Sequence, residues 1–310
     1  MSDASPHEVH RTAASAIAAL GGGKPAQMRL FTTTRGRISS RLPTANASDV
    51  STALYRYRSF IWQHAVADLR HRYAGTGMGV VWNVLHPLSL IVVYAVVFGT
   101  IMKTTIEAVP GKWGFPIYLC AGFFPWMAFA ECMTRGATAF SGNAAYLKKL
   151  PVPEQVFVAQ GVMASSLTLL IGFAVFIAIA LPLGLRPRVY WLLVPIPIIL
   201  LQIVGFGIGM IVATLNVFFT DVAQLLGVLL QILFWLTPIV YVVGQVPRSL
   251  RPILALNPAT PAVEAVHDLL LWGRFPSPWM FAMLGAWAIV TTVCGYLLLG
   301  RLRGEIRDVL

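Results

Sequence analysis

The chain has 310 residues, of which 57% are hydrophobic and only 11% charged, with a formal net charge of +11. Soluble domains carry about 25% charged residues, so this composition, with a mean hydropathy of +0.73, excludes an ordinary soluble globular protein. The basic excess reads as membrane orientation rather than nucleic-acid binding, and the three cysteines, Cys120, Cys132 and Cys294, lie in or beside apolar runs and imply no disulfide framework.

Residues 1–50 contain no apolar run of useful length and are rich in Ala, Ser, Thr, Gly and Arg. They read as a disordered cytoplasmic tail. Over 51–76 the charges Arg56, Arg58, Asp68, Arg70 and Arg72 rule out a span. Tyr55, Trp62, Val66, Leu69 and Tyr73 recur at helical steps, with Arg56, Gln63 and Arg70 on another face. That pattern predicts an amphipathic helix lying in the membrane interface.

Six stretches then follow without a single Asp, Glu, Lys or Arg: Gly77–Met102, Trp113–Ala130, Gln155–Leu185, Val189–Thr220, Val222–Pro247 and Phe275–Gly300. A spanning helix needs about 20 apolar residues to cross about 30 Å of hydrocarbon. The prediction is an all-α polytopic membrane protein with six transmembrane helices over 77–300 and a short C-terminal segment, 301–310. Placing both termini in the cytoplasm puts 16 of the 23 Lys and Arg residues inside, as the positive-inside rule favours.

The connections carry their own signals. Residues 131–154 form the largest internal cytoplasmic loop, with Asn143, Lys148, Lys149, then Pro151 and Pro153 stopping a helix and Glu154 suited to the first turn of the next. Residues 248–274 are apolar enough to enter the membrane, but Pro258, Pro261, Glu264, His267 and Asp268 break them. Broken backbone at membrane depth must be satisfied by protein or water, so an external re-entrant pair of short helices is expected; a helix lying on the external surface is the alternative.

Four stretches resemble the permeases of type-2 ABC exporters for polysaccharides. From Asp68 to Pro87, the residues Asp68, Arg72, Tyr73, Gly79, Trp82 and Pro87 match the basic stretch that precedes the first span in that family; His86 stands where Asn is common. Residues Asn143 to Pro153 resemble its "N-x-x-L-I-K-K-x-x-F-P" loop, with Val152 in place of Phe. Phe218 to Val222 resemble its "F-R-D" turn, with Thr220 in place of Arg. Leu256-Asn257-Pro258, followed by Glu264, resembles its external "L-N-P" segment. The likeness covers about residues 52–305.

The resemblance implies two copies of this chain paired with two ATP-binding cassette ATPase subunits in the bacterial inner membrane. It implies export of a glycan on a lipid-pyrophosphate carrier, of O-antigen type, with capsular and teichoic-acid glycans as alternatives. ATP and magnesium would sit on the ATPase, and this chain would hold no cofactor or metal and perform no catalysis. Loop residues Asn143, Lys148, Lys149, Pro151 and Pro153 would dock on the ATPase. Spans one and five would line the seam between copies.

Within that frame, Arg70 and Arg72 with Gly75 and Gly77 make a candidate anion site for the head group, since guanidinium groups and close backbone amides suit phosphate. Topology signals and contacts to membrane lipids are the competing role for the two arginines. Glu131 and Arg135, four apart, are placed to pair within the membrane end of span two. Trp82, Tyr94, Phe98, Phe123, Phe124 and Trp126 are aromatic candidates for a glycan path, against ordinary core or lipid-facing roles. Gln231, a lone amide in an apolar run, needs a partner other than lipid. A secondary transporter is disfavoured because the spans lack carboxylates for ion coupling. A membrane enzyme acting on lipid-linked sugars is disfavoured because no carboxylate cluster exists beyond Glu264 and Asp268.

Overall fold

The computed structural model describes residues 50–72, 77–104, 106, 109, 111–149 and 152–310. The expected tail, apart from its last position, and the predicted site residues Gly75 and Pro151 lie outside the described residues. Two helices open the described chain, α1 (Val50–Arg56) and α2 (Arg58–His71). A 3-10 turn leads into α3 (Trp82–Tyr94), which continues as a π-helical segment, Ala95–Ile101. Then come α4 (Gly114–Ala137), the short α5 (Ala144–Lys149), α6 (Gln155–Ala180), α7 (Pro195–Phe218) and α8 (Val222–Leu236). The chain closes with the short α9 (Arg251–Leu256), α10 (Ala259–His267) with a π-helical extension Asp268–Trp272, and α11 (Pro278–Val309). Among the described residues the only β pairing is an isolated bridge between Ile106 and Val109. The protein is an all-α, multi-pass membrane protein.

Five helices are long and apolar enough to cross a bilayer: Trp82–Ile101, Gly114–Ala137, Gln155–Ala180, Val189–Phe218 and Pro278–Val309. The expected span over Val222–Pro247 is shorter, because α8 stops at Leu236 after 15 residues, about 22 Å of helix. Thr237 precedes Pro238, and the proline ring disfavours helical backbone at the residue before it; Thr237 is extended, with φ −93° and ψ 135°. The broken backbone beyond is satisfied by protein. The Tyr118 hydroxyl on α4 is shared between the carbonyls of Pro238 (3.2 Å) and Tyr241 (3.0 Å). Asn257 donates to the Thr237 hydroxyl at 2.8 Å and accepts from the Ala259 amide at 3.0 Å.

α4 is the most enclosed of the long helices and packs on α6, α7 and α10. Glycines decide how closely the inner helices meet. A Cβ on Gly136 of α4 would lie 2.7 Å from Gly209 Cα on α7, and one on Gly207 would lie 2.5 Å from the Thr291 backbone of α11. Gly205 and Gly209 thus turn toward α4 and Gly207 toward α11, so small residues let backbones approach on two sides of α7.

One end of the bundle gathers distant segments. Ile61 of α2, Phe140, Leu147 of α5, Val152, Phe157 of α6, Met210 of α7 and Ile306 of α11 share one buried cluster. Glu154, expected in the first turn of α6, sits at its N-cap without capping it. Its side chain, 1% exposed, instead lies 2.8 Å from Arg307 Nη2 and 3.0 Å from Arg303 Nε of α11.

At the other end, every residue of α10 except Glu264 is buried, against α4, α7 and α11, so it is not a helix lying on the surface. Burial, and then the Asp268 charge, raise Glu264 to about 7, with Arg274 and Arg251 opposing. The folded state therefore binds more protons than the unfolded chain between about pH 4.5 and 7, and stability falls as pH rises through that window. In mild detergent, Glu264→Gln is expected to match the wild type at pH 4 and to exceed it by about 2–3 kcal/mol at pH 8. Identical pH profiles of the melting temperature would contradict this account.

Candidate functional site

The end of α2 meets the end of α4 in an alternating set of charges. Arg72 pairs with Glu131; Glu131 accepts from Arg135 Nε at 2.9 Å; Arg135 Nη1 lies 2.8 Å from Asp68. Two bases and two acids leave the set neutral. The spacing-based Glu131–Arg135 pair is present, and Arg72 and Asp68 extend it across 59 and 67 residues of sequence. Each pair is partly exposed, which limits its worth to about 1 kcal/mol or less; the set's main effect is to fix α2 against α4.

Above this floor lies a cavity of about 500 Å³ between α3, α4 and α6. Arg72, Glu131 and Arg135 of the charged set line it together with the polar Asn83, His86, Thr134 and Thr168 and the apolar Leu90, Phe123, Phe124 and Met127. Gly172 of α6 lets Phe124 close the top, since a Cβ there would lie 3.0 Å from the ring. Asn83 is 7% exposed; its Nδ2 points to the Leu69 carbonyl at 3.5 Å, and its Oδ1 is buried without a partner.

The structure separates the predicted residues. Arg72 belongs to the charged set, whereas Arg70 is exposed and takes no part in it, and Gly77 is exposed with open space around its Cα. Tyr94 packs edge-on to Phe123 at 5.3 Å, Phe98 lies 5.2 Å from Phe115, and Trp126 lies 6.0 Å from Phe234. These rings pack on one another within the protomer, and Phe123 and Phe124 also line the cavity. Trp82 is partly exposed on α3, and Gln231 is exposed on the outer face of α8 beside Val228, Ile232 and Trp235. In the 131–154 connection, Lys148 and Lys149 are exposed while Leu147 between helix and core is buried. Asn143 holds the Ala139 carbonyl at 2.9 Å, and Pro153 is half-buried.

Sequence reasoning missed Asp68 as a partner and Asn83 and His86 as cavity residues. The criterion that singled out Gln231, an amide alone in a charge-free run, applies equally to Asn83. Among the described residues no group of three or more His, Cys, Asp or Glu is arranged to hold a metal.

Apolar spanning helices around an enclosed α4, with a neutralised charge set and a polar-to-apolar cavity at one end, define a multi-pass transport subunit. The chain belongs to the ABC-2 type transporter family, whose model matches residues 61–271. It is similar to the O-antigen export system permease protein RfbA of Klebsiella pneumoniae, 28% identical over 244 residues, covering 78% of this chain and 92% of that protein. The protein of the same name from Myxococcus xanthus is 26% identical over 239 residues, covering 76% and 90%. The polysialic acid transport protein KpsM of Escherichia coli is 25% identical over 243 residues, covering 77% and 91%.

Proposed function

We propose that this chain is the membrane-spanning subunit of an ATP-driven exporter that moves a lipid-pyrophosphate-linked, O-antigen-like polysaccharide across the bacterial inner membrane. The observation that carries the reading is similarity along nearly the whole length of permeases named for O-antigen export and polysialic acid transport. The higher identity to the O-antigen permeases favours that glycan class over a capsular one. The subunit itself is not an enzyme; ATP and magnesium belong to a separate ATPase.

The arrangement of the ends supports a topology with both termini cytoplasmic. α1, α2, the 138–154 connection and the last turns of α11 gather at one end, and most of the basic residues lie in these segments and the N-terminal tail. In this topology α1 and α2 lie at the cytoplasmic interface, α5 offers Lys148 and Lys149 to the ATPase, and α9 with α10 re-enters from the outside. α8 and the broken segment after it together make the sixth crossing. Two copies meet along α3 and α8, where Gln231 finds a partner other than lipid. Arg72, rather than Arg70, is placed to meet the pyrophosphate, by exchanging Glu131 for the ligand.

Deleting the gene is expected to abolish surface glycan while lipid-linked glycan accumulates inside the cell. A plasmid copy should restore export, and a copy with Arg72→Ala should restore it poorly at wild-type abundance. Normal surface glycan in the deletion strain would overturn the assignment.

A further inference from the structure

We infer that the groove between α6 and α7 holds one anionic diacyl phospholipid of the surrounding bilayer, with an acyl chain between the two spans and the phosphate at Arg58. The groove has a volume of about 750 Å³, in the range of small-molecule sites. On α6 the lining residues Ala159, Val162, Ser166, Leu169 and Phe173 recur every three or four positions, over about 20 Å of helix. Facing them on α7 are Val194, Ile198, Gln202 and Phe206, each about one turn from the next. Leu54, Arg58 and Ile61 of α1 and α2 line the end where Ile61 and Phe206 share a buried cluster. Trp191, just before α7, lines the other end.

The walls decide what fills it. Ser166 donates its hydroxyl proton to the Val162 carbonyl at 2.8 Å, and Trp191 Nε1 donates to the Leu270 carbonyl at 3.1 Å. Both amide atoms of Gln202 are covered by protein. The spans therefore offer a ligand an almost wholly apolar surface, which does not hold water. Both walls belong to spanning helices, so acyl chains of the bilayer are what reaches them. The length suits one such chain, since a leaflet supplies about half of the ~30 Å hydrocarbon core.

Charge selects the head group. Arg58 is exposed at the α1–α2 end. Its Nη1 donates to the Tyr55 carbonyl at 3.0 Å, and its guanidinium lies 4.2 Å over the Tyr55 ring. Among the described residues it has no carboxylate partner. α1 and α2 carry three arginines and one acid, Asp68, and Asp68 is engaged by Arg135. A guanidinium with donors to spare fits a phosphodiester, and a basic interfacial segment favours anionic lipid. The lipid would tie α2 to α6 and α7 and stay with the subunit, away from α3, α8 and the cavity at Arg72. In the topology proposed above it belongs to the cytoplasmic leaflet, but its binding does not depend on that topology.

The test uses the assembled exporter, permease with its ATPase, in phosphatidylcholine nanodiscs. The probe is phosphatidylglycerol with a photoreactive group in one acyl chain, and labelled peptides are mapped by mass spectrometry. Label is expected to concentrate on the groove residues of α6 and α7 and to fall when unlabelled phosphatidylglycerol is added. Arg58→Gln should weaken probe binding roughly tenfold, the size expected for losing one charge-assisted contact, and Arg58→Lys should keep most of it. Arg58 is exposed, so the fold tolerates both changes. Ser166→Phe, which fills the groove and leaves Arg58 in place, should remove the label from α6 and α7. Equal groove labelling by the same photoreactive chain on phosphatidylcholine would overturn the inference, since hydrocarbon would then fill the groove without selection of a head group. Stronger competition by a polyprenyl phosphate than by phosphatidylglycerol would overturn it too, as would wild-type binding by Arg58→Gln or unchanged label in Ser166→Phe. No transport is read, so failure of the export reading and failure of this inference are seen separately.

Discussion

Replacing Arg303 and Arg307 together by Met is expected to destabilise the protein by about 3–5 kcal/mol, because it strands a buried carboxylate. Glu154 is 1% exposed, while the two arginine side chains are 26% and 46% exposed. The asymmetry sets the order of effects. Glu154→Gln removes the buried charge and leaves two cations that water reaches, at a cost of about 1–2 kcal/mol. The triple variant with Glu154→Leu, Arg303→Met and Arg307→Met should recover most of the loss, since an apolar replacement of a whole buried ion set is often neutral. Denaturant or thermal unfolding in mild detergent measures all three. A double Arg variant as stable as Glu154→Gln would show that Glu154 is not the group that needs compensation.

Gly207→Leu is expected to cost about 3 kcal/mol or more, as overpacking with no room to relax. The obstacle is backbone rather than a movable side chain: an added Cβ would lie 2.5 Å from Thr291 C and Thr292 N, and Gly295 on the facing helix would meet the Gly207 carbonyl at 2.7 Å. Even Gly207→Ala should destabilise, although Gly-to-Ala in a helix ordinarily gains about 0.5–1 kcal/mol. Gly285→Ala on α11 supplies the contrast, since nothing lies within 4 Å of its added Cβ. Melting temperatures should move down for the first and up for the second. A shift of the same sign in both would mean that α7 and α11 separate freely.

The sequence disclosed what depends on local spacing. Charge-free length located five of the spanning helices, and a four-residue step found Glu131 with Arg135. It did not show that the helix in the Val222–Pro247 stretch ends at Leu236, because a count of charges does not register Thr237 and Pro238, whose effect on the backbone ends α8 early. The rest of the site lay out of reach for a different reason. Asp68 meets Arg135, and Arg303 and Arg307 meet Glu154, only after helices far apart in sequence have packed, and no periodicity within one element encodes such a meeting. The aromatic candidates show the same limit. Tyr94, Phe98, Phe123 and Trp126 are spaced alike along their helices whether they line a path or fill a core, and only the tertiary structure shows that each packs on another ring of the protomer.

Tyr118 joins three pieces of the end opposite α1 and α2 with one side chain and its own carbonyl. Its ring stacks on His267 of α10 at 3.9 Å, its carbonyl accepts from His267 Nε2 at 3.0 Å, and its hydroxyl bridges Pro238 and Tyr241. A phenol has one proton to give, so two carbonyls divide a single bond between them. The stretch after α8 is therefore held by roughly 1 kcal/mol at this point, while the α4–α10 side of the ring is clamped twice. Tyr118 thus ties α4 to α10 through two separate contacts and to the segment after α8 through one shared proton.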